Sequence, residues 1–157
     1  MNKKITAAAV LLRLLLGWYM FVDGLNILLT PNWTAAGFLN GALTFPAFYA
    51  WFALPANAWW VDPLNSWGIT LIGLALIVGV GIRVAGWGGA ILMILYYFPH
   101  YAFPNAGTHG EFIVEEHLIY AAAFVLIALM PQARAYSLAG WLRGTFIGRV
   151  PIVRDLI

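Results

Sequence analysis

The fold is decided by residues 64 to 101, which read LNSWGITLIGLALIVGVGIRVAGWGGAILMILYYFPHY. This stretch contains two apolar runs, Leu64 to Ile82 and Val84 to Tyr101. Each run approaches the roughly 20 residues that an α-helix needs to cross the hydrocarbon core of a bilayer. Arg83 stands alone between the runs, so almost no residues remain for a loop. The stretch therefore predicts two membrane-spanning helices joined as a tight antiparallel hairpin.

Two further apolar runs flank this hairpin, from Ile5 to Leu29 and from Ile113 to Met130. Hydrophobic residues make up 63% of the chain and charged residues only 9%, against about half and about a quarter in soluble domains. This composition excludes a secreted enzyme, a disordered chain and a nucleic-acid binder. The expected fold is an all-α, integral membrane four-helix bundle in contact with membrane lipids. The chain has no cysteine, which excludes disulfides, thiolate-bound zinc and thiol redox relays.

The distribution of charge predicts the orientation of the bundle. Basic residues precede the first run, stand at Arg83 and follow the fourth run, whereas residues 30–63 and 102–112 contain no Lys or Arg. Because cytoplasmic loops carry an excess of Lys and Arg, we expect both termini to be cytoplasmic. The expected location is the plasma membrane, crossed several times.

The long segment from residue 30 to residue 63 is too apolar for a water-exposed loop. We expect two short helices in it, Trp33 to Thr44 and Ala47 to Leu54, lying in the outer interface where aromatic rings prefer to sit. The rings form either an aromatic belt, which is the commoner use, or a lid over a site for a lipid-soluble ligand. Asp62 and Pro63 are expected to begin the second span as N-cap and first-turn proline.

The chain divides into a four-span membrane domain, residues 1–130, and a tail, residues 131–157. Four arginines alternate with apolar and aromatic side chains in the tail. This pattern is typical of an amphipathic helix on the cytoplasmic membrane face. A tail docked on a partner subunit is the alternative.

Polar side chains inside the spans mark the candidate site, because ionisable groups are costly in lipid. Asp23 is the deepest acid, and Tyr19 and Asn26 share its helix face. We expect Asp23 to face the bundle and either to be protonated or to hydrogen-bond to a neighbour, His117 or Tyr120 of the fourth span. The other side chains expected near the outer leaflet are His100, Glu115 and Glu116.

Such a cluster suits the proton-coupled reduction of a quinone. A quinone that accepts two electrons must also take two protons, which a positioned histidine or carboxylate can deliver. The structural alternative places Glu115 and Glu116 in headgroup water and His117 in a core hydrogen bond. Haem binding by His100 and His117 is disfavoured by their placement at the outer edge. No metal site is expected, because Glu-Glu-His at 115–117 lacks the Glu-x-x-His spacing of di-metal bundles.

Four motifs together resemble the DoxX family, especially its DoxD type. They are RLLLGWYMF at 13–21 with Asp-Gly-Leu at 23–25, TAAGFL at 34–39, IGLALIVGVGIRVAG at 72–86, and EHLIYA at 116–121. The last motif resembles the acid-His-x-x-Tyr pattern of the family. The resemblance implies a small four-helix membrane protein. For the DoxD type it implies part of a thiosulfate:quinone oxidoreductase, which forms tetrathionate and reduces membrane quinone.

The leading hypothesis is therefore a quinone-interacting membrane subunit of an oxidoreductase, assembled with other redox subunits or as a homo-oligomer. The alternative is a non-catalytic accessory subunit of a larger membrane complex, and a small transporter is least favoured. Under the leading hypothesis, the catalytic candidates are Asp23, Glu116, His117 and Tyr120. The candidates for quinone contact are Tyr19, Asn26, Trp33 and His100.

Overall fold

The structure, a computed structural model, describes residues 2–100, 102 and 114–139. All regular structure in these residues is helical, as the sequence predicts. The helices are α1 (Lys3–Leu29), α2 (Ala36–Asn40), α3 (Pro46–Phe52), α4 (Ala58–Val78), α5 (Ile82–His100) and α6 (Glu116–Leu129), and a 3-10 helix (Pro131–Arg134) follows α6. The predicted tail beyond residue 139 lies outside the described residues.

Three of these helices, α1, α4 and α5, are long and apolar enough to cross a membrane, with 27, 21 and 19 residues. α6 is apolar but has only 14 residues, which corresponds to about 21 Å of helix. It lies within the predicted fourth span, whose first residue, Ile113, is outside the described part of the chain. The described residues thus contain three candidate spans and one shorter apolar helix, which pack against one another, and we call this group of helices the bundle.

The helices associate mainly as two pairs, α1 with α4 and α5 with α6. Glycine permits both close approaches. A Cβ added to Gly24 of α1 would lie 2.3 Å from the Thr70 hydroxyl of α4, and one added to Gly89 of α5 would lie 2.6 Å from the Phe124 ring of α6. The core between the pairs contains side chains that are at most 1% exposed: Met20, Ile69, Leu76, Phe124 and Ile127.

The turn between α4 and α5 is as tight as the sequence predicts. α4 ends at Val78, and Gly79 and Gly81 both have positive φ, 79° and 65°. Glycine adopts this left-handed conformation without the steric penalty of a Cβ. The Gly79 and Val80 N–H groups both donate to the Ala75 carbonyl, which closes the end of α4.

The beginning of α4 differs from the prediction. The helix begins at Ala58, and Pro63 lies inside it. Asp62 is therefore not an N-cap; its Oδ1 accepts the backbone N–H of Ala35, at 2.9 Å. This hydrogen bond joins the segment before α2 to α4. It forms between residues that are distant in sequence, so it could not be predicted from the hydropathy pattern.

Arg13 fixes the end of the bundle that contains the Gly79–Gly81 turn. Its side chain is 1% exposed, and its guanidinium donates to the carbonyls of Ala133, Ala135 and Tyr136 at 2.7, 3.0 and 3.4 Å. These carbonyls lie at the end of the 3-10 helix, where the last C=O groups have no N–H partner within the helix. Arg13 thus joins α1 to the chain that leaves α6.

The segment with α2 and α3 is bound to the C-terminal end of α5. The Leu43 and Thr44 N–H groups donate to the Pro99 and Phe98 carbonyls. Both short helices are shorter than predicted. α2 ends at Asn40, and the N–H of its C-cap residue, Gly41, donates to carbonyls of the preceding turn. The segment therefore rests on the bundle at the end opposite the Gly79–Gly81 turn.

A proline explains one further contact of this segment. Pro99 has no N–H to donate to the Leu95 carbonyl four residues earlier, and the Tyr49 hydroxyl donates to that carbonyl instead, at 2.9 Å. Burial raises the pKa of Tyr49, so the hydroxyl keeps the proton that it donates. α3 is thus fixed on α5 by a hydrogen bond that the proline makes available.

Candidate functional site

A cavity of about 350 Å³ lies between the two helix pairs, at the end of the bundle where α5 stops and α6 starts. α1, α4, α5, α6 and the α2 segment all contribute to its wall. Its size falls in the range of ligand pockets, on the order of 300–1,000 Å³. The polar and ionisable side chains that line it are Tyr19, Asp23, Asn65, Tyr96, His100 and His117.

His117 is held by the N-cap of its own helix. Glu115, just before α6, has extended backbone, and its carboxylate accepts the His117 backbone N–H at 3.1 Å. The same carboxylate lies 2.7 Å from Nδ1 of the His117 ring. Because a carboxylate only accepts hydrogen bonds, Nδ1 carries a proton in this contact. Nε2 is then the ring nitrogen left for a ligand.

His100 stacks on His117, with ring centroids 5.0 Å apart and an interplanar angle of 25°. Nδ1 of His100 lies 3.1 Å from the Tyr96 carbonyl one helical turn earlier and donates to it. Both histidines therefore have Nδ1 oriented by an oxygen acceptor. An imidazole held in this way presents Nε2 in a defined direction.

Two aromatic side chains complete the wall beside the histidines. The edge of Tyr96 meets Phe38 at a centroid distance of 5.5 Å, and Phe38 lies 5.1 Å from His100. The Tyr96 hydroxyl donates to Oδ1 of Asn65 on α4. This hydrogen bond links α4 to α5 across the wall of the cavity.

Asp23 lines the cavity together with His117. The expected hydrogen bond to His117 or Tyr120 is not found, and within residues 2–100, 102 and 114–139 the carboxylate has no hydrogen bond or ion pair. Its side chain is exposed and lines the cavity. Among the described residues, Asp23 is therefore an acceptor without a partner that can meet a ligand or a proton.

The other predicted residues divide between the cavity and its surroundings. Tyr19 and Trp33 line it as predicted. Tyr120 stands behind Tyr19, ring centroids 5.2 Å apart, and does not reach the cavity wall. Asn26 is exposed, and its carbonyl accepts the hydroxyl of Thr30.

Glu116 also lies outside the cavity lining, on the exposed side of α6. The carboxylate that contacts His117 is that of Glu115, not that of Glu116, which was the predicted catalytic acid. The helical neighbour rule placed residues 116, 117 and 120 on one face, but it does not apply to Glu115, which precedes the helix. One ligand atom each from Glu115, Glu116 and His117 lies within 4.8 Å of the others, although Glu115 already accepts from His117.

The sequence reasoning did not identify Phe38, Asn65 and Tyr96 as site residues. A polar Asn65 within an apolar span was a usable signal, since polar groups at that depth need a partner. Tyr96 lies one turn before His100 on the same helix face, so it could also have been considered. The hydrogen bond between Tyr96 and Asn65 could not be predicted from local sequence, because the two residues are 31 positions apart.

The site combines an oriented imidazole, a second stacked imidazole and a carboxylate that has no partner among the described residues, within largely apolar walls. This set can donate and accept protons at a ligand. No family model, no curated protein and no solved structure matches this chain in sequence or fold comparisons. The functional argument therefore depends on the cavity itself.

Proposed function

We propose that this protein is a DoxX-like, DoxD-type membrane subunit that binds the head group of a membrane quinone in the histidine-lined cavity. The observation that carries this proposal is the Glu115–His117 pair, which holds Nδ1 and leaves Nε2 for a ligand. A quinone carbonyl is a hydrogen-bond acceptor that must be protonated on reduction. His117 supplies the donor, and His100 and Asp23 lie in the same cavity.

The reaction in this proposal is thiosulfate:quinone oxidoreduction. Two thiosulfate ions release two electrons as they join to form tetrathionate, and the quinone takes these electrons with two protons to become a hydroquinone. In this proposal His117 reacts as the doubly protonated imidazolium: it delivers the Nε2 proton to a quinone oxygen and keeps the Nδ1 proton that it donates to Glu115. Asp23, which has no partner among the described residues, carries the second proton into the cavity. The thiosulfate is oxidised either by this chain or by a partner redox subunit, which then passes the two electrons to the quinone.

The membrane arrangement is part of the same proposal. In this proposal α6 belongs to the fourth span, and both termini lie in the cytoplasm of a plasma-membrane protein. This follows from Lys3, Lys4, Arg83 and Arg134 at one end of the bundle and the positive-inside rule. The cavity then opens toward the outer leaflet, where membrane quinone can reach it laterally.

The test uses the purified protein in lipid nanodiscs. We expect saturable quinone binding that is lost in His117→Ala, and thiosulfate-dependent quinone reduction that falls at least ~100-fold, the scale of positioned acid–base catalysis. Failure of the wild-type protein to bind quinone would refute the proposal. Unchanged turnover in folded His117→Ala would instead mean that the histidine cluster is structural, and quinone binding without turnover in the wild-type protein would support the accessory, non-catalytic role.

A further inference from the structure

A second pocket, of about 150 Å³, adjoins the histidine-lined cavity. It lies among α3, α4 and α5, and its wall is almost entirely non-polar. Most of the side chains that line it are aromatic or aliphatic, among them Phe48, Phe52, Trp60, Leu64, Leu92 and Leu95. We call this space the apolar pocket.

Four residues line both the histidine-lined cavity and the apolar pocket: Ala35, Phe38, Asn65 and Tyr96. Tyr96 and Asn65 are joined by their hydrogen bond, and the rings of Tyr96 and Phe38 pack in a T-shaped arrangement. We call Phe38, Asn65 and Tyr96 the partition, because their side chains contribute to the walls of both spaces.

The size of the apolar pocket limits what can occupy it. Its 150 Å³ is below the range of sites that hold a whole drug-sized ligand, on the order of 300–1,000 Å³. It can therefore hold only part of a larger molecule. The neighbouring cavity of about 350 Å³ has hydrogen-bonding side chains in its wall, among them Asp23, His100 and His117, and suits the other part. The adjoining spaces fit an amphiphile with a hydrogen-bonding head and a non-polar tail.

We propose that one quinone occupies both spaces, with its head group in the histidine-lined cavity and the first isoprenoid units of its tail in the apolar pocket. This inference rests on the proposed function and adds the ligand class, a prenyl-tailed rather than a tail-less quinone. Phe38, Asn65 and Tyr96 then determine specificity, because the head and the tail meet at the partition. The tail beyond the pocket continues into the lipid.

The energetic gain from the tail is expected to be modest. Lipid is as apolar as the pocket, so moving the tail out of the membrane gives little hydrophobic driving force. The pocket contributes close packing of the tail against rings that are held in place. A tailed quinone also contacts the protein at two places, which lowers its Kd. We therefore expect the occupied pocket to lower the Kd of a tailed quinone by about tenfold, equivalent to about 1.4 kcal/mol.

The experiment compares two probes in nanodiscs, a decyl-tailed benzoquinone and the same head group without the tail. Leu92→Trp fills the apolar pocket, and Leu71→Trp is the matched control, since Leu71 is 54% exposed on α4 and lines neither space. In Leu92→Trp we expect the Kd of the tailed probe to rise about tenfold. The Kd of the head group alone should stay within about twofold, and Leu71→Trp should change neither value.

A photoreactive group on the decyl tail gives a second measurement that needs no variant. We expect it to label α3, at Phe48 or Phe52, in the wild-type protein. Labelling confined to lipid-facing side chains such as Leu71, or an unchanged Kd for the tailed probe in folded Leu92→Trp, would overturn the inference. If the wild-type protein binds neither probe, the proposed function itself fails, and the two failures are therefore distinguishable.

Discussion

Replacing Glu115 by glutamine removes the negative charge beside His117 and changes little else. The amide oxygen of glutamine can still accept the His117 backbone N–H, so the N-cap of α6 is retained. It can also accept from Nδ1, but as a neutral partner. Glu115→Gln therefore isolates the electrostatic part of the orientation of His117 from the folding of the helix.

The size of the effect follows from the contact. The two carboxylate oxygens lie 2.7 and 2.8 Å from Nδ1, and the side chains of His117 and Glu115 are 13% and 25% exposed. Hydrogen bonds to charged groups contribute about 1.5–3 kcal/mol and neutral ones about 0.5–1.5 kcal/mol. The midpoints of these ranges differ by about 1.2 kcal/mol, which corresponds to a little less than a tenfold loss of rate.

The assay is thiosulfate-dependent quinone reduction by the purified protein, with kcat and KM determined separately. Glu115→Gln should lower kcat about tenfold and leave the KM for quinone and the melting temperature nearly unchanged, because Glu115 positions His117 without touching the ligand. Glu116→Gln is the comparison, since the neighbouring side chain lies outside the cavity lining. Equal losses in both variants, or a larger loss in Glu116→Gln, would refute the assignment of the role to Glu115.

Four further results are expected. Gly24→Ala should lower the free energy of unfolding by about 1–3 kcal/mol through overpacking, because the added Cβ would lie 2.3 Å from the Thr70 hydroxyl. Gly68→Ala is the control and should not destabilise the protein, because a Cβ there has no neighbour within 4 Å. Thermal unfolding of the two variants measures the difference. Tyr49→Phe should speed proteolysis of the α2–α3 segment by leaving the Leu95 carbonyl without a donor, and Pro99→Ala in the same chain should restore protection by supplying an N–H. Since burial raises the pKa of Tyr49, the wild-type segment should also loosen as pH rises above about 10, where the unfolded tyrosine ionises, and Tyr49→Phe should lack that dependence. Ala56→Cys should react with an impermeant thiol reagent outside intact cells, whereas Tyr136→Cys should react only after permeabilisation, and the opposite pattern would reverse the proposed orientation.

The helical class and the tight hairpin could be predicted because they depend on local properties of the sequence. Long apolar runs give helices that can span a bilayer, and glycine at Gly79 and Gly81 permits a turn of three residues between α4 and α5. The beginning of α4 could not be predicted in the same way. Asp62 has the pattern of an N-cap, but its oxygen accepts from Ala35, and only the folded chain brings these residues together.

The candidate site shows the same division between local and long-range information. Asp23, His100 and His117 were found because ionisable groups in apolar runs are conspicuous. Glu116 was chosen over Glu115 on the assumption that both lie within the helix. The helix begins at Glu116, so the extended backbone of Glu115 returns its carboxylate to His117.

The two ends of the bundle suit different tasks. At one end the Gly79–Gly81 turn and the buried Arg13 guanidinium join α1, α4, α5 and the chain after α6. At the other end, the hydrogen bond between Tyr96 and Asn65 joins α4 to α5, and the α2–α3 segment is bound to α4 at Asp62 and to α5 at Leu95, Phe98 and Pro99. Under the proposed function, a lipid-soluble ligand enters between helices rather than through water, so the cavity end has to open while the other end stays closed. Fixing the pairs at the Arg13 end allows small movements at the cavity end without loss of the fold, and the Tyr96–Asn65 bond, which joins α4 and α5 between the histidine-lined cavity and the apolar pocket, is one of the contacts that such a movement would have to break.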